Sequence, residues 1–388
     1  MDFAHYWISP SERASLDQVA QRFRAAGGRW TESVSQDYEF MKRDAVMRIA
    51  TGFAPGAMWL GGEDIAHIGA LGLVKAMDAQ ATQDRWPALM HDFLLQPPRY
   101  RGTLIAQPVT LHNENWAWFN ARIYRRLKLP LPTTWDEFLA QAPKLKAAGV
   151  NPLAISDQAW NVRLLFTTLV AGAGGPAIYK RLFVNEDASV LDEARMQRVL
   201  RLLAELRQWR PASGQMRTWD QATQQVIKGR AAMQVMGDWA KGEFKVVGVK
   251  PGMDYICAPV PEAGGSFIMA LDMVAYPVSS QSVTEAGQGL LAKTWLDRDL
   301  QLAFARKKGS LPVRKDIRAE DLDACAADSL PRLLDASRRL SAPRLTMSEP
   351  VRTELQAALA AFWVSPQMSV EDLAQRMRRA LSRRSDKS

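Results

Sequence analysis

The sequence predicts an α/β protein built as two lobes, and three observations carry that expectation. From "MDFAHYWIS" to "APGAMWLGG" the chain alternates strand, helix, strand, helix, strand. A second stretch of the same kind lies between two long extended runs, near 103–112 and 255–277, and a helical remainder follows the second run. Alternation of this sort is the pattern of a parallel sheet covered by helices. A chain that crosses twice between two such lobes implies a ligand cleft with a hinge, because a few dihedral changes in the crossing strands move whole lobes. The first lobe is expected over 1–110 and 270–312, and the second over 111–269 and 313–388.

Each element has a local reason. "MDFAHYWIS" reads as a short strand. "SERASLDQVAQRFRAAGG" places Leu16, Val19, Ala20 and Phe23 on one helical face, with Ser9 or Ser11 as cap and Gly27 and Gly28 as the stop. "RWTESVSQ" is a second strand, "DYEFMKRDAVMRIATG" a helix, and "APGAMWLGG" a third strand ending in glycines. The extended run "GTLIAQPVTLHNENWAWFN" follows. In "PLPTTWDEFLAQAPKLKAAGV" Thr134 and Glu137 have capping-box spacing, so a helix starts there. "NPLAIS" is a buried strand, "NVRLLFTTLVAGAGG" and "LDEARMQRVLRLLAELRQW" are helices, and "TQQVIKGRAAMQVMGDWA" reads helix, glycine stop, strand, loop. After the run "MDYICAPVPEAGGSFIMALDMVAYPV" only helices are expected. No repeat of fixed period and no low-complexity segment is present.

Composition narrows the classes. The chain has 388 residues, 47% hydrophobic and 23% charged, enough for two cores. No apolar run is long enough to span a membrane. The opening "MDFAHYWISP" shows no leader, which fits a mature exported chain and a cytosolic one equally. The net charge of +9 invites a nucleic-acid partner, but the basic residues are interleaved with acids. The dense run "RMRRALSRRSDKS" is expected to be a solvated helix end, so no nucleic acid is expected. Cys257 and Cys325 have no metal-ligand spacing. They pair in an oxidising compartment or stay as two separately buried thiols, and the second is the expectation.

Five segments, "HYWISPSE", "LHNENWAWFN", "LPTTWDEFLAQAPKLKAAGVNPLAI", "GRAAMQVMGDWAKGEF" and "KKGSLPVR", occur in this order. Over essentially its whole length the chain resembles the extracellular solute-binding proteins of carbohydrate ABC importers, in the branch that includes glucose- and mannose-binding proteins. The resemblance implies a type II periplasmic-binding-protein fold, two α/β lobes joined by hinge strands with a sugar cleft between them. It implies an exported monomer, without cofactor, that closes on its ligand and delivers it to permease subunits in the inner membrane. A sensor that presents sugar state to a membrane receptor shares the same fold.

A pyranose has apolar C–H patches and a rim of hydroxyls, so aromatic faces and polar side chains recognise it together. Thirteen Trp occur here. On this reading Trp239, in "VMGDWAKGEF", is a stacking platform, and the pair Tyr6 and Trp7 is another, although one of two adjacent strand residues faces the core. Trp59 and Trp160 stand at strand ends, where open α/β sheets face a crevice. Trp30, Trp135 and Trp295 are expected in packing. Glu12 either accepts sugar hydroxyls or favours the positive end of the first helix. His112 and Asn115 fall at the first crossing, Lys308 begins "KGSLPVR", and Arg163 stands on the same wall as Trp160. His112 has a buried structural histidine as its alternative, and Lys308 an exposed lysine.

Enzyme readings find little to stand on. No P-loop, GxSxG or HExxH motif and no Cys/His metal set is present. A glycosidase needs two carboxylates facing one bond, and Glu12, Asp37, Glu63 and Asp238 are the ones to test. Against glucose-binding members the chain also lacks three charged groups implied by the resemblance: Gly61 stands for a lysine, Gly265 for an aspartate and Met347 for a histidine. Two glycines are expected to widen the site beside Tyr6 and Trp59, for a larger or modified sugar.

Overall fold

The computed structural model describes residues 1–212, 214–279 and 282–383. The chain divides into two compact units. Unit 1 comprises Met1–His112 and Ala270–Ala327; unit 2 runs from Asn113 to Met269 and from Asp328 onward.

In unit 1, β1 (Asp2–His5), β2 (Thr31–Val34) and β3 (Ala57–Gly61) lie parallel in the order β2-β1-β3. The connections are α1 (Pro10–Ala25) and α2 (Tyr38–Ala50). α1 forms because Ser9 and Glu12 make a reciprocal capping box, Pro10 pre-sets the first turn, and Leu16, Val19, Ala20 and Phe23 bury one face. That face packs against the helix Arg298–Lys308. Gly27, at φ +90°, ends it. β4 (Arg99–Tyr100) and β5 (Thr103–Leu104) form a small antiparallel pair.

The two extended runs each break in the middle. The first gives β6 (Gln107–Asn113) and β7 (Trp116–Asn120), because the Asn113 Oδ1 accepts the Asn115 N–H at 3.0 Å and turns the chain. The second gives β10 (Tyr255–Pro259) and β11 (Phe267–Ala275), separated by turn residues with Glu262 at φ +63°. Between them lie β8 (Asn151–Ala154) and β9 (Ala231–Val235). Unit 2 has a sheet in the order β10-β7-β9-β8, parallel between β8 and β9. The unit boundaries fall within β6, within β11 and, between Ala327 and Asp328, inside the helix Ala324–Leu334. In unit 1, Asp272–Ala275 of β11 pair antiparallel with β3.

Two expectations need correction. The C-terminal part is not helical throughout: β12 (Arg339–Ser341) pairs parallel with Phe267–Met269. Three residues carry no period to read, and this strand is made by its partner. The cysteines are not separate thiols; both are disulfide-bonded. The basic C-terminal run is helical over Val370–Ser382 and is ion-paired, Arg378 with Asp192 and Arg383 with Glu354; its last five residues, 384–388, lie outside the described residues.

The end of β1 carries a titratable group with a readable consequence. His5 is fully buried; its Nδ1 accepts the Trp7 N–H at 3.1 Å, and its Nε2 lies 3.3 Å from Glu32 Oε2. A neutral ring with the proton on Nε2 satisfies both contacts. A second proton would set two donors face to face at Nδ1. Burial is the main reason that the imidazolium pKa falls below its ordinary value; Glu32 opposes this and Arg13 adds to it. The unfolded chain then binds more protons just below about pH 6.5, so stability drops as pH falls through that value and levels off below the depressed folded pKa. Urea midpoints between about pH 7.5 and 5.5 are expected to fall for the wild type and to be flatter for His5→Gln. Equal slopes for the two proteins contradict this.

Candidate functional site

The parallel strands of unit 1 end at one aromatic corner. Tyr6 follows β1, Tyr38 opens α2 after β2, and Trp59 stands near the end of β3. Trp59 meets Tyr6 edge-on at 5.0 Å and Tyr38 edge-on at 4.8 Å between ring centroids, and the two tyrosines are 5.6 Å apart. Both tyrosines are half-exposed, whereas Trp59 is 1% exposed. Its indole N–H is buried without an acceptor among the described residues.

A polar network backs this corner. The Tyr38 hydroxyl donates to the Asp64 carboxylate and accepts the Gly61 N–H at 3.1 Å. Lys42 Nζ donates to Asp64 Oδ1 at 2.9 Å and also pairs with Glu39. Burial first, and then the charges of Glu63 and Asp64, push the Tyr38 phenol well above its ordinary pKa, so it stays a donor. Glu63 folds back along the strand end: a Cβ built on Gly61 would lie 2.4 Å from its Oε2. The room expected at Gly61 is therefore filled by a carboxylate. A Cβ built on Gly265, in unit 2, meets nothing within 4 Å. Met347 is buried.

The other unit 1 candidates are engaged within the protein. Trp7 is buried against Phe304, with ring centroids 5.8 Å apart and Lys308 Nζ 5.2 Å from its ring, whereas Tyr6 stays half-exposed. Glu12 Oε2 accepts the Ile8 and Ser9 N–H groups, and its Oε1 accepts from Lys308 at 2.9 Å. Of its two sequence readings, the helix-capping one describes these contacts. Lys308 is buried rather than exposed. His112 is buried with Nε2 3.0 Å from Asp272 Oδ2.

In unit 2 a second aromatic pair forms where β8 and β9 run out. Trp160 and Trp239, both half-exposed, have ring centroids 6.2 Å apart and tilted by 51°. The residues around Trp239 explain its setting. The Asp238 carboxylate accepts the Asn113 N–H at 2.9 Å and the Asp238 N–H donates to Asn113 O at 3.0 Å, which ties the loop down. Gly237 makes room for the ring: a Cβ there would lie 2.1 Å from Trp239. Gly237→Ala is expected to push the indole aside with less than about 1 kcal/mol lost in stability, because a ring end moves more cheaply than backbone. Denaturant unfolding checks this, and a loss well above about 1 kcal/mol contradicts it.

Asn115 is a loop tie: its Nδ2 donates to Ala263 O at 2.7 Å and Ser266 O at 3.1 Å, leaving a buried Oδ1 without a donor among the described residues. Arg163 is buried, 3.9 Å from Glu114. Asp37 caps α2 through the Phe40 N–H, so of the four carboxylates considered for hydrolysis, Glu12, Asp37 and Asp238 have local structural partners. Trp30, Trp135 and Trp295 are buried. Tyr38, Lys42 and Asp64 were missed by sequence reasoning; the signal was a Tyr in the first turn after a parallel strand. Among the described residues no His/Cys/Asp/Glu group is arranged to hold a metal, and no helix is long and apolar enough to cross a membrane.

Comparison with known proteins adds four findings. The profile of bacterial extracellular solute-binding proteins matches residues 10–288. A probable sugar-binding periplasmic protein of Mesorhizobium japonicum is 33% identical over 341 residues, covering 86% of this chain and 80% of that protein. An uncharacterized ABC transporter extracellular-binding protein of Pyrococcus horikoshii is 31% identical over 242 residues, covering 61% of this chain and 53% of that protein. Among solved structures, a Thermus thermophilus maltotriose binding protein with bound maltotriose aligns with a TM-score of 0.75 at 17% identity, over 98% of both chains.

Proposed function

We propose a function from a premise that family and fold supply: the chain belongs to the bacterial extracellular solute-binding proteins and has the two-lobed α/β fold of periplasmic binding proteins. It binds a carbohydrate outside the cytoplasm and hands it to the permease of an ABC importer. It is a binding protein, not an enzyme. The observation that carries the reading is the pair of half-exposed aromatic faces, Tyr6 and Tyr38 over Trp59 in unit 1 and Trp160 with Trp239 in unit 2, each at the ends of strands. Such faces cover the apolar patches of a sugar ring with little loss of side-chain entropy. Two disulfide-bonded cysteines fit an oxidising compartment.

Free glucose is not the ligand on this reading. The lysine and aspartate that the resemblance implies are glycines here, Gly61 and Gly265, and Met347 stands for the histidine. A charge-assisted hydrogen bond contributes about 1.5–3 kcal/mol, so losing two costs about two to four decades of affinity. Calorimetric titration with glucose is expected to give no constant in the micromolar range, while a larger or modified sugar binds. A micromolar or tighter glucose constant refutes the specificity claim.

A further inference from the structure

We propose that unit 2 carries a docking surface for an anionic phospholipid bilayer, made by the connection 245–254 and the neighbouring helix Ala121–Leu127. Capture of a neutral carbohydrate makes no use of the chain's net charge of +9, and at this surface basic residues gather around exposed apolar ones. The connection runs from the end of the helix Ala240–Val246 to β10 and reads "KVVGVKPGMD". Val246, Val247 and Met253 are 47%, 46% and 62% exposed, and residues 246–253 include no acidic and no aromatic side chain.

The connection has a defined shape. Phe244 before it and Tyr255 after it are buried and stack with ring centroids 4.3 Å apart, so its two ends meet over the core. Asp254 closes its second half. Its carboxylate accepts the Lys250 N–H at 2.8 Å, its own N–H donates to Lys250 O at 2.9 Å, and Gly252, at φ +78°, makes the turn. Three apolar side chains held out together on such a loop mark a contact surface more than chance exposure does.

The basic rim comes from the helix beside it. Ile123 and Tyr124 bury one side of Ala121–Leu127, and Arg122, Arg125 and Arg126, at i, i+3 and i+4, share the other, all exposed. Arg125 donates to Gly252 O at 3.3 Å and to Met253 O, and Arg122 donates to Asp254 Oδ1 at 2.9 Å, which sets this face against the apolar stretch. Lys128 and Lys250 are exposed as well. Asp254 is paired with Arg122, and among the described residues no carboxylate pairs with Arg125, Arg126, Lys128 or Lys250.

Two properties together choose the partner. Clustered cations are drawn to an anionic surface, and exposed aliphatic side chains sink into the boundary between headgroups and acyl chains while lysine and arginine stems reach the phosphates. Nucleic acid offers the charge but is held by aromatic stacking or by polar readout in a groove, where Val246, Val247 and Met253 have no use. A protein partner is anchored by Trp and Tyr, which this stretch lacks.

Vesicle co-sedimentation at low salt tests this on the full chain without carbohydrate. Wild type is expected to bind vesicles of equal parts phosphatidylglycerol and phosphatidylethanolamine, not phosphatidylcholine vesicles, and to be released as salt rises. Arg126→Gln with Lys250→Gln should weaken binding about 20- to 30-fold, at about fivefold per cation. Val247→Ser with Met253→Ser keeps the charge and should weaken it about tenfold. Unchanged thermal midpoints in both variants show that folding is not the cause; should a pair lower the midpoint, the single substitutions Arg126→Gln and Val247→Ser carry the same test at smaller amplitude. No binding of wild type to anionic vesicles overturns the proposal, and so does a serine variant that binds them as wild type does. A DNA duplex or polyglutamate bound as tightly as the vesicles, in wild type and serine variant alike, overturns it in favour of a polyanion or an acidic protein. Each of these outcomes leaves carbohydrate binding standing.

Discussion

Lys42→Met will destabilise unit 1 by about 3–5 kcal/mol. Asp64 is fully buried, and Lys42 Nζ, 2.9 Å away, is the cation that balances it. Methionine keeps most of the stem's packing but leaves a carboxylate in a site closed to water, with the Tyr38 hydroxyl as its remaining donor. The cost is the stranded charge rather than the lost pair, since a buried ion pair is by itself close to neutral against an apolar substitute. At about 2–4 °C per kcal/mol the first thermal transition should fall by roughly 6–20 °C. Adding Asp64→Asn to the variant removes the charge and should recover much of the loss, which a packing defect alone would not do. A shift of under about 1 kcal/mol in denaturant unfolding contradicts this account of the network.

Trp239→Ala will weaken binding of the true ligand by about 1–3 kcal/mol, a factor of roughly 5 to 150. The residue is half-exposed, its neighbours hold the loop through backbone and carboxylate bonds, and Trp118 Nε1 also donates to Met236 O at 2.9 Å. The loop thus survives the loss of the ring, and the protein should unfold within about 1 kcal/mol of wild type. An alanine variant that unfolds outright would show the indole to be a core residue instead. Comparing Trp239→Ala with Gly237→Ala adds resolution: the first deletes the face and the second displaces it, so the first should cost more.

The fold was legible where local chemistry and hydrophobic period agree. Ser9 with Glu12, and Thr134 with Glu137, form the boxes that their spacing announces, and Leu16, Val19, Ala20 and Phe23 are buried as one face. β12 was not legible, because three residues have no period and the strand exists through its pairing with Phe267–Met269. The oxidised state of the cysteines was not legible either, since neither spacing nor neighbours fix it. At the candidate site the sequence pointed to residue types more surely than to their states. Strand alternation anticipated that one of Tyr6 and Trp7 would face inward. It did not say that Lys308 would bury beside Trp7 and pair with Glu12, which depends on a contact 296 residues apart. Gly61 was read as a widened space because a missing side chain looks like a vacancy. The carboxylate two residues later takes that space, and only coordinates show a chain folding back on itself.

Thermal unfolding of the purified protein across a carbohydrate panel is the most direct test of the central claim. The panel should hold neutral and amino monosaccharides, β- and α-linked disaccharides, and glycosides, each well above an expected micromolar constant. A ligand at a hundred times its dissociation constant stabilises the folded state by about 2.7 kcal/mol, which is readily resolved as a rise in midpoint. The account predicts that at least one carbohydrate raises the midpoint in wild type and does so less in Trp239→Ala at the same concentration, while glucose has little effect in either. A panel in which no carbohydrate moves the midpoint, or in which the variant responds as the wild type does, contradicts it.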